Sequence, residues 1–360
     1  MRRPDIPVLT TLRFPAAFAI VLFHFLPYTR CPTWVWGGFN EGVSFFYVLS
    51  GFILYYNYTD LTDRGFFWVA RFARIWPVHV LTCLMALILV PWENLLGHAS
   101  WPITLPANLL LVHAWLPFKG SALSFNGVSW SLSVELFFYL CFPWLLGFFK
   151  KRGSAFPLAW SFGLGFMLVS LTTIYWPAYA DSVGNFNPAC RIFEFVLGMA
   201  TCRFWLEGQG RATNVQWLAC ETLVLIMGVV LVVSLPVLIV ALGIANPAVH
   251  WLGSEICALE FASLIWVLAH QAGPISRMLS QRYLTWFGEI SFAVYMCHQI
   301  ILKRIGVNQL QDNAQAFSKF AIYTFLTLVV SAAIFHLVET PARHAIVSAY
   351  KRRFTRVSGS

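Results

Sequence analysis

Arg13 and His24 stand with ten residues between them inside the first strongly apolar segment of the chain, LRFPAAFAIVLFHF. Ionisable side chains at membrane depth are costly to desolvate, so their default reading is functional. On a helix the two lie roughly 16 Å apart along the axis. One supplies a fixed cation and the other a group that takes or gives a proton near neutral pH. Further polar groups interrupt apolar runs downstream: Ser50 in GVSFFYVLSGF, Ser131 and Glu135 in WSLSVELFFYL, Arg191 and Glu194 in CRIFEFVLGM, and His298 in GEISFAVYMCHQ. Each also has a purely structural use. A buried histidine satisfies itself on a backbone carbonyl, Ser50–Gly51 permits close helix packing, and Arg191 and Glu194, three apart on one helical face, neutralise each other. A match in depth between His24 and Glu135 favours a proton-handling couple, with Ser50, Ser131 and His298 in support.

A second constellation is cationic. Arg71 and Arg74 in FWVARFARIWP share one helical turn, and Arg13 falls near the same level. Three guanidiniums at one membrane rim serve as an orientation signal, as a contact for anionic lipid, or as a phosphate site, since planar guanidinium forks match phosphate geometry. A ligand anchored there by phosphates reaches mid-membrane only with a long flexible arm. Coenzyme A, a phosphorylated nucleotide carrying a thin arm that ends in a thioester, has that form.

These groups need membrane-spanning elements to position them. The chain is 59% hydrophobic and 11% charged, against about 25% charged in a soluble protein, which excludes a soluble enzyme. A span takes about 20 predominantly apolar residues. Ten segments qualify: 8–28, 40–58, 73–92, 128–149, 157–178, 188–206, 213–234, 252–271, 286–305 and 317–338. Two more, 101–117 and 235–249, are short or broken by proline and read as interfacial or re-entrant. With the N-terminus inside, seventeen of the 24 basic residues fall on the inner segments and five on the outer ones. The positive-inside rule therefore places both termini in the cytoplasm. The expected fold is an all-α integral membrane protein of about ten transmembrane helices, with a transmembrane domain over 1–345 and a basic cytoplasmic tail over 346–360. The formal net charge of +9 is spread over short clusters flanked by apolar residues, which argues for topology rather than a nucleic-acid surface. No cleavage site follows the first apolar segment, so a removed signal peptide is not expected.

The eight cysteines show no paired metal-ligand spacing, so no metal site is expected. Cys31 and Cys190, both at outer ends, are the one candidate disulfide, and sequence does not supply its geometry.

The same residues form an ordered set of motifs: R-x10-H (Arg13, His24), FYVLSG (Phe46 to Gly51), RFAR (Arg71 to Arg74) with Pro77 beyond, SLSVE (Ser131 to Glu135), RIFEFVLG (Arg191 to Gly198), GEISFAVYMCH (Gly288 to His298) and ETPAR (Glu339 to Arg343). In this order and at these depths the chain resembles the membrane-bound acyltransferase family 3 over nearly its whole length. It departs from the family pattern at Tyr47, where a second Phe is usual, and at Pro15, often Gly. The resemblance implies transfer of an acyl group, commonly acetyl, from cytoplasmic acyl-CoA to a hydroxyl of a sugar, polysaccharide or lipid-linked glycan at the outer side of a bacterial inner membrane. Arg13, Arg71 and Arg74 would hold the phosphates of the acyl-CoA co-substrate. His24 would act as general base or be acylated itself, and Glu135 would orient its imidazole. Ser50 or His298 would bind the oxyanion or the sugar, and Trp101, Trp115 and Asn126 offer an outer face for sugar stacking. A secondary transporter or flippase also uses buried ionisable groups, but this chain shows no paired inverted halves.

Overall fold

A computed structural model describes residues 3–91, 95, 100–208, 216–307, 310 and 312–357, with side chains described to Arg353. Residues 92 and 213–215 of two expected spans, the backbones of Arg2 and Arg211, and the side chain of Arg356 lie outside that set. All regular structure among the described residues is helical. After a one-turn helix, Pro7–Thr11, the long helices are α1 (Arg13–Phe25), α2 (Gly42–Tyr58), α3 (Arg64–Leu89), α4 (Trp130–Arg152), α5 (Ala155–Tyr175), α6 (Ile192–Glu207), α7 (Trp217–Ala241), α8 (Pro247–Ala269), α9 (Arg282–Ile305), α10 (Asn313–Ile334) and α11 (Thr340–Val357).

Helices α1 to α10 fall on the ten apolar segments. Among the described residues seven helical stretches are long and apolar enough to cross a membrane: Pro7–Tyr28, α3, α4, α5, α7, α8 and Asn313–Arg353. Helices α2 and α6, with 17 and 16 residues, are shorter, and α9 carries Arg282, Glu289, His298, Lys303 and Arg304. The stretch at 101–117 forms a nine-residue helix, Trp101–Leu109, and a further turn. The stretch at 235–249 divides between the end of α7 and the start of α8.

Local sequence sets the ends. Asp63 accepts from Phe66 N–H at 2.8 Å to cap α3, and Asn246 caps α8 through Ala248 N–H at 2.8 Å. Asp312 caps α10 through Ala314 and Gln315. Gly306, in the left-handed region at φ +65°, stops α9.

Helices α2 and α6 form the centre. A Cβ on Gly51 would overlap the Phe195 carbonyl oxygen, and a Cβ on Gly198 would overlap that of Val48. The two backbones therefore touch, each admitted by the other's glycine. Aromatic rings fill the space around this crossing: Phe138 stacks on Phe195 at 4.9 Å and Phe67 on Phe142 at 5.1 Å. The most apolar helix, α7, buries least of itself, presenting Leu223, Ile226, Val229 and Val240 outward as a lipid-facing helix does.

Between α10 and α11 the chain continues through a single π-helical turn, Phe335–Glu339, without breaking the helix. Helix α11 then packs along α3. The boundary expected at residue 345 thus falls inside a helix. Cys31 and Cys190 are both free thiols, so the candidate disulfide is absent.

Candidate active site

At the end of the bundle where α3 begins, a cavity of about 920 Å³ opens between the 7–11 turn, α1, α2, α3, α4, α9 and α11. It gathers Arg13, Arg71, Arg74, Ser50, Ser131 and Glu135 from four separate helices. The phosphate-site arginines of the sequence reading therefore meet in one chamber. Arg71 donates to Tyr58 Oη at 3.3 Å and lies over the Tyr58 ring, while its Nε is buried without a protein partner. Arg74 pairs with Glu339 at 3.4 Å. Glu339 sits on the π-helical turn and is 2% exposed. Arg13 has Arg74, Glu339 and Glu135 as its charged neighbours. Tyr139 donates to Glu135 Oε1.

Two differences from the sequence reading follow. Arg343, His344 and Lys351 of α11 also line the cavity; in the sequence Arg343 is marked only by the closing motif and Lys351 only by the basic tail, and His344 by neither. Glu135 belongs with the arginines, not with His24. The physical reason lies in the packing: α1 rests on α9 and α2, whereas α4 rests on α2, α3, α5 and α6. The depth expected from the spans puts Glu135 level with His24, whereas its charged neighbour on α1 is Arg13, about three turns from His24.

The partner of His24 is His298. His298 Nε2 lies 3.2 Å from His24 Nδ1, with ring centroids 5.0 Å apart. Carbonyl oxygens decide the tautomers. His298 Nδ1 is 2.7 Å from Tyr295 O, and His24 Nδ1 is 2.9 Å from Ile20 O. A carbonyl only accepts, so both Nδ1 atoms carry hydrogen in the neutral rings. His298 Nε2 then presents a lone pair to His24 Nδ1–H, and the lone pair of His24 Nε2 is left for another proton. This is the arrangement of a general base held by an acceptor, with a neutral imidazole where a triad holds a carboxylate.

The pair does not line the arginine cavity. Tyr295 does, and its ring centroid lies 6.0 Å from that of His298. The Tyr295 hydroxyl is held at 2.9 Å by Val128 O and at 2.8 Å by Ser131 Oγ, and Phe46 lies beside its ring at 6.1 Å. Tyr295 thus stands between the cationic chamber and the imidazoles.

Arg191 and Glu194 are elsewhere. They pair at 2.8 Å, and Arg191 also donates to Ser44 Oγ at 2.8 Å. Ser44 in turn donates to Glu41, which accepts from Ser254 as well. This buried network ties α2, α6 and α8 together away from the cavity lining. Asn126 is buried and donates to Met296 O at 2.8 Å, which bonds its loop to the helix of His298, while Trp101 and Trp115 are exposed.

A helical bundle with several membrane-length helices defines a multi-pass membrane protein, and this one encloses an arginine-lined chamber and a buried imidazole pair. The acyltransferase-domain profile of family 3 matches residues 6–336. The chain belongs to acyltransferase family 3. It is 29% identical over 372 residues to acyltransferase MdmB of Streptomyces mycarofaciens, covering 93% of this chain and 91% of that protein. It is 24% identical over 364 residues to peptidoglycan O-acetyltransferase OatA of Listeria monocytogenes, covering 95% of this chain but only 56% of OatA. No solved structure matches. Among the described residues no cluster of histidine, cysteine and carboxylate side chains is suited to a metal ion.

Proposed function

We propose that this chain is a membrane O-acyltransferase that moves an acyl group, acetyl first, from cytoplasmic acyl-CoA to a hydroxyl of a sugar, polysaccharide or lipid-linked glycan on the outer side of a bacterial plasma membrane. In this reading all ten helices α1 to α10 cross the bilayer and both termini are cytoplasmic, as the asymmetry of basic residues favours. The observation that carries the proposal is the pairing of a chamber rich in guanidinium with a histidine whose Nε2 is left open by its own hydrogen bonds. The name of OatA supports a glycan acceptor.

The phosphates of acyl-CoA sit on Arg13, Arg71 and Arg74, where Glu135 and Glu339 hold the guanidiniums in place. The thioester arm extends toward Tyr295. His24 Nε2 takes the proton of the acceptor hydroxyl as its oxygen attacks the thioester carbonyl. The carbon–sulfur bond breaks, and the thiolate leaves with the proton that His24 returns, giving an O-acyl ester and free coenzyme A. His298 Nε2 accepts from Nδ1–H of the transient imidazolium and steadies it. In the relay variant, His24 Nε2 attacks the thioester first and passes the acyl group on. Labelled acyl-CoA followed by peptide mapping separates the two, since only the relay leaves an acyl adduct on His24.

The test of the function is direct. Purified protein in nanodiscs is mixed with acetyl-CoA and the glycan fraction of the source cell, and ester-linked acetyl is measured by mass spectrometry. Acetyl ester that depends on the protein supports the reading. Stabilisation by free sugars or ions with none by acetyl-CoA, and no ester formed, returns the chain to the transporter class.

A further inference from the structure

The C-terminal helix presents one face to the cationic chamber. Arg343, His344, Val347, Ser348 and Lys351 line the cavity, and their spacing of four and eight residues puts them along a single stripe of α11. Arg343 lies at the deep end, close enough to Arg71 and Arg74 to interact with both charges. Lys351 lies roughly 12 Å farther along the axis, at the mouth. There its ammonium sits 5.4 Å from the Phe66 ring centroid. The helix is fixed in this position: Tyr350 donates to Asp63, its ring meets Phe66 at 6.0 Å, and its hydroxyl fills the space that a side chain at Gly65 would need.

Charge separates along the same line. The deep group is Arg13, Arg71, Arg74 and Arg343, answered by Glu135 and Glu339. The mouth group is Lys351 with the Ser348 hydroxyl beside the Phe66 ring, and Asp5 also stands in the cavity lining. A ligand with one phosphate would use one of these. Two groups spaced along a chamber of this volume suit a ligand carrying two separate phosphates.

We infer that α11 is part of the donor site: Lys351 and Ser348 bind the ribose 3′-phosphate of the nucleotide, while Arg343 joins the deep arginines on the diphosphate. This rests on the acyl-CoA reading above and adds which end of the nucleotide α11 recognises. It also gives the basic C-terminal segment a task other than setting topology.

Coenzyme A and its 3′-dephospho analogue differ by that one phosphate. Their dissociation constants are measured calorimetrically on the full chain and on Lys351→Gln, in nanodiscs of zwitterionic lipid so that anionic headgroups do not compete. The wild-type chain is expected to bind coenzyme A about tenfold more tightly than the analogue, in line with one charged hydrogen-bonded contact. Lys351→Gln is expected to remove that preference by weakening coenzyme A alone. A preference absent from the wild type, or one that persists in Lys351→Gln, or an equal loss for both ligands overturns the assignment to Lys351. Failure of the wild type to bind either ligand overturns instead the acyl-CoA reading beneath it.

Discussion

In the proposed reaction His24 owes its basicity at Nε2 to two carbonyl oxygens and a second imidazole. Because Ile20 O and Tyr295 O hold the two Nδ1–H groups, the open atom of the pair is His24 Nε2, and His298 acts through it. His298→Ala is therefore expected to lower turnover by about 10²-fold or more while leaving the KM for acetyl-CoA near its wild-type value. A rise in KM with unchanged turnover would place His298 in donor binding instead. Arg74→Ala has the opposite signature: a several-fold higher KM for acetyl-CoA with a smaller change in turnover, read from initial rates. Arginine and histidine types and their spacing were legible in the sequence, and so was the gathering of Arg13, Arg71 and Arg74 in one place. The His24–His298 bond was not, because contacts across 274 residues depend on which faces α1 and α9 turn to each other. Glu135 shows the same limit from the other side, expected beside His24 but packed with Tyr139 and the arginines.

Helices hold these residues by close approach and by one irregular turn. The crossing of α2 and α6 leaves no room for a side chain at Gly51 or Gly198. Gly198→Val is expected to destabilise the protein by about 1–3 kcal/mol, seen as a lower unfolding midpoint in detergent, with activity lost in proportion to folded protein. An unchanged midpoint would mean that the backbones do not touch. The glycines stood out in the sequence within FYVLSG and RIFEFVLG, although as separate motifs rather than as two halves of one contact. The π-helical turn at 335–339 left no such trace. It carries Glu339 to Arg74, and irregular turns of this kind recur at functional sites. Glu339→Gln keeps the shape and removes the charge, so Arg74 loses its ion pair and the chamber gains one net positive charge. Binding of coenzyme A by Glu339→Gln, titrated calorimetrically, is expected to become more sensitive to salt than in the wild type; equal salt dependence would show that Glu339 does not offset the arginines.

For the molecule as a whole, the asymmetry of basic residues and the position of the chamber make one joint statement. In the proposed topology the arginine end faces the cytoplasm and the imidazole pair lies toward the other side, with Tyr295 between them. In sealed proteoliposomes of known orientation, acetyl-CoA supplied only to the side of α11 is expected to support transfer, and acetyl-CoA supplied only to the opposite side is not. That the chain is an all-helical bundle with membrane-length helices could be read from hydropathy, whereas the placement of Tyr295 between chamber and histidines comes from the packing of α2, α4 and α9 and has no sequence pattern of its own. In the proposed reaction the chamber and the imidazole pair serve one transfer. The most direct measurement is a single turnover of labelled acetyl-CoA by His24→Ala, set beside its affinity for the same ligand. Wild-type affinity and no labelled ester on the glycan are expected; ester formed at the wild-type rate by correctly folded His24→Ala would show that His24 does not carry the transfer.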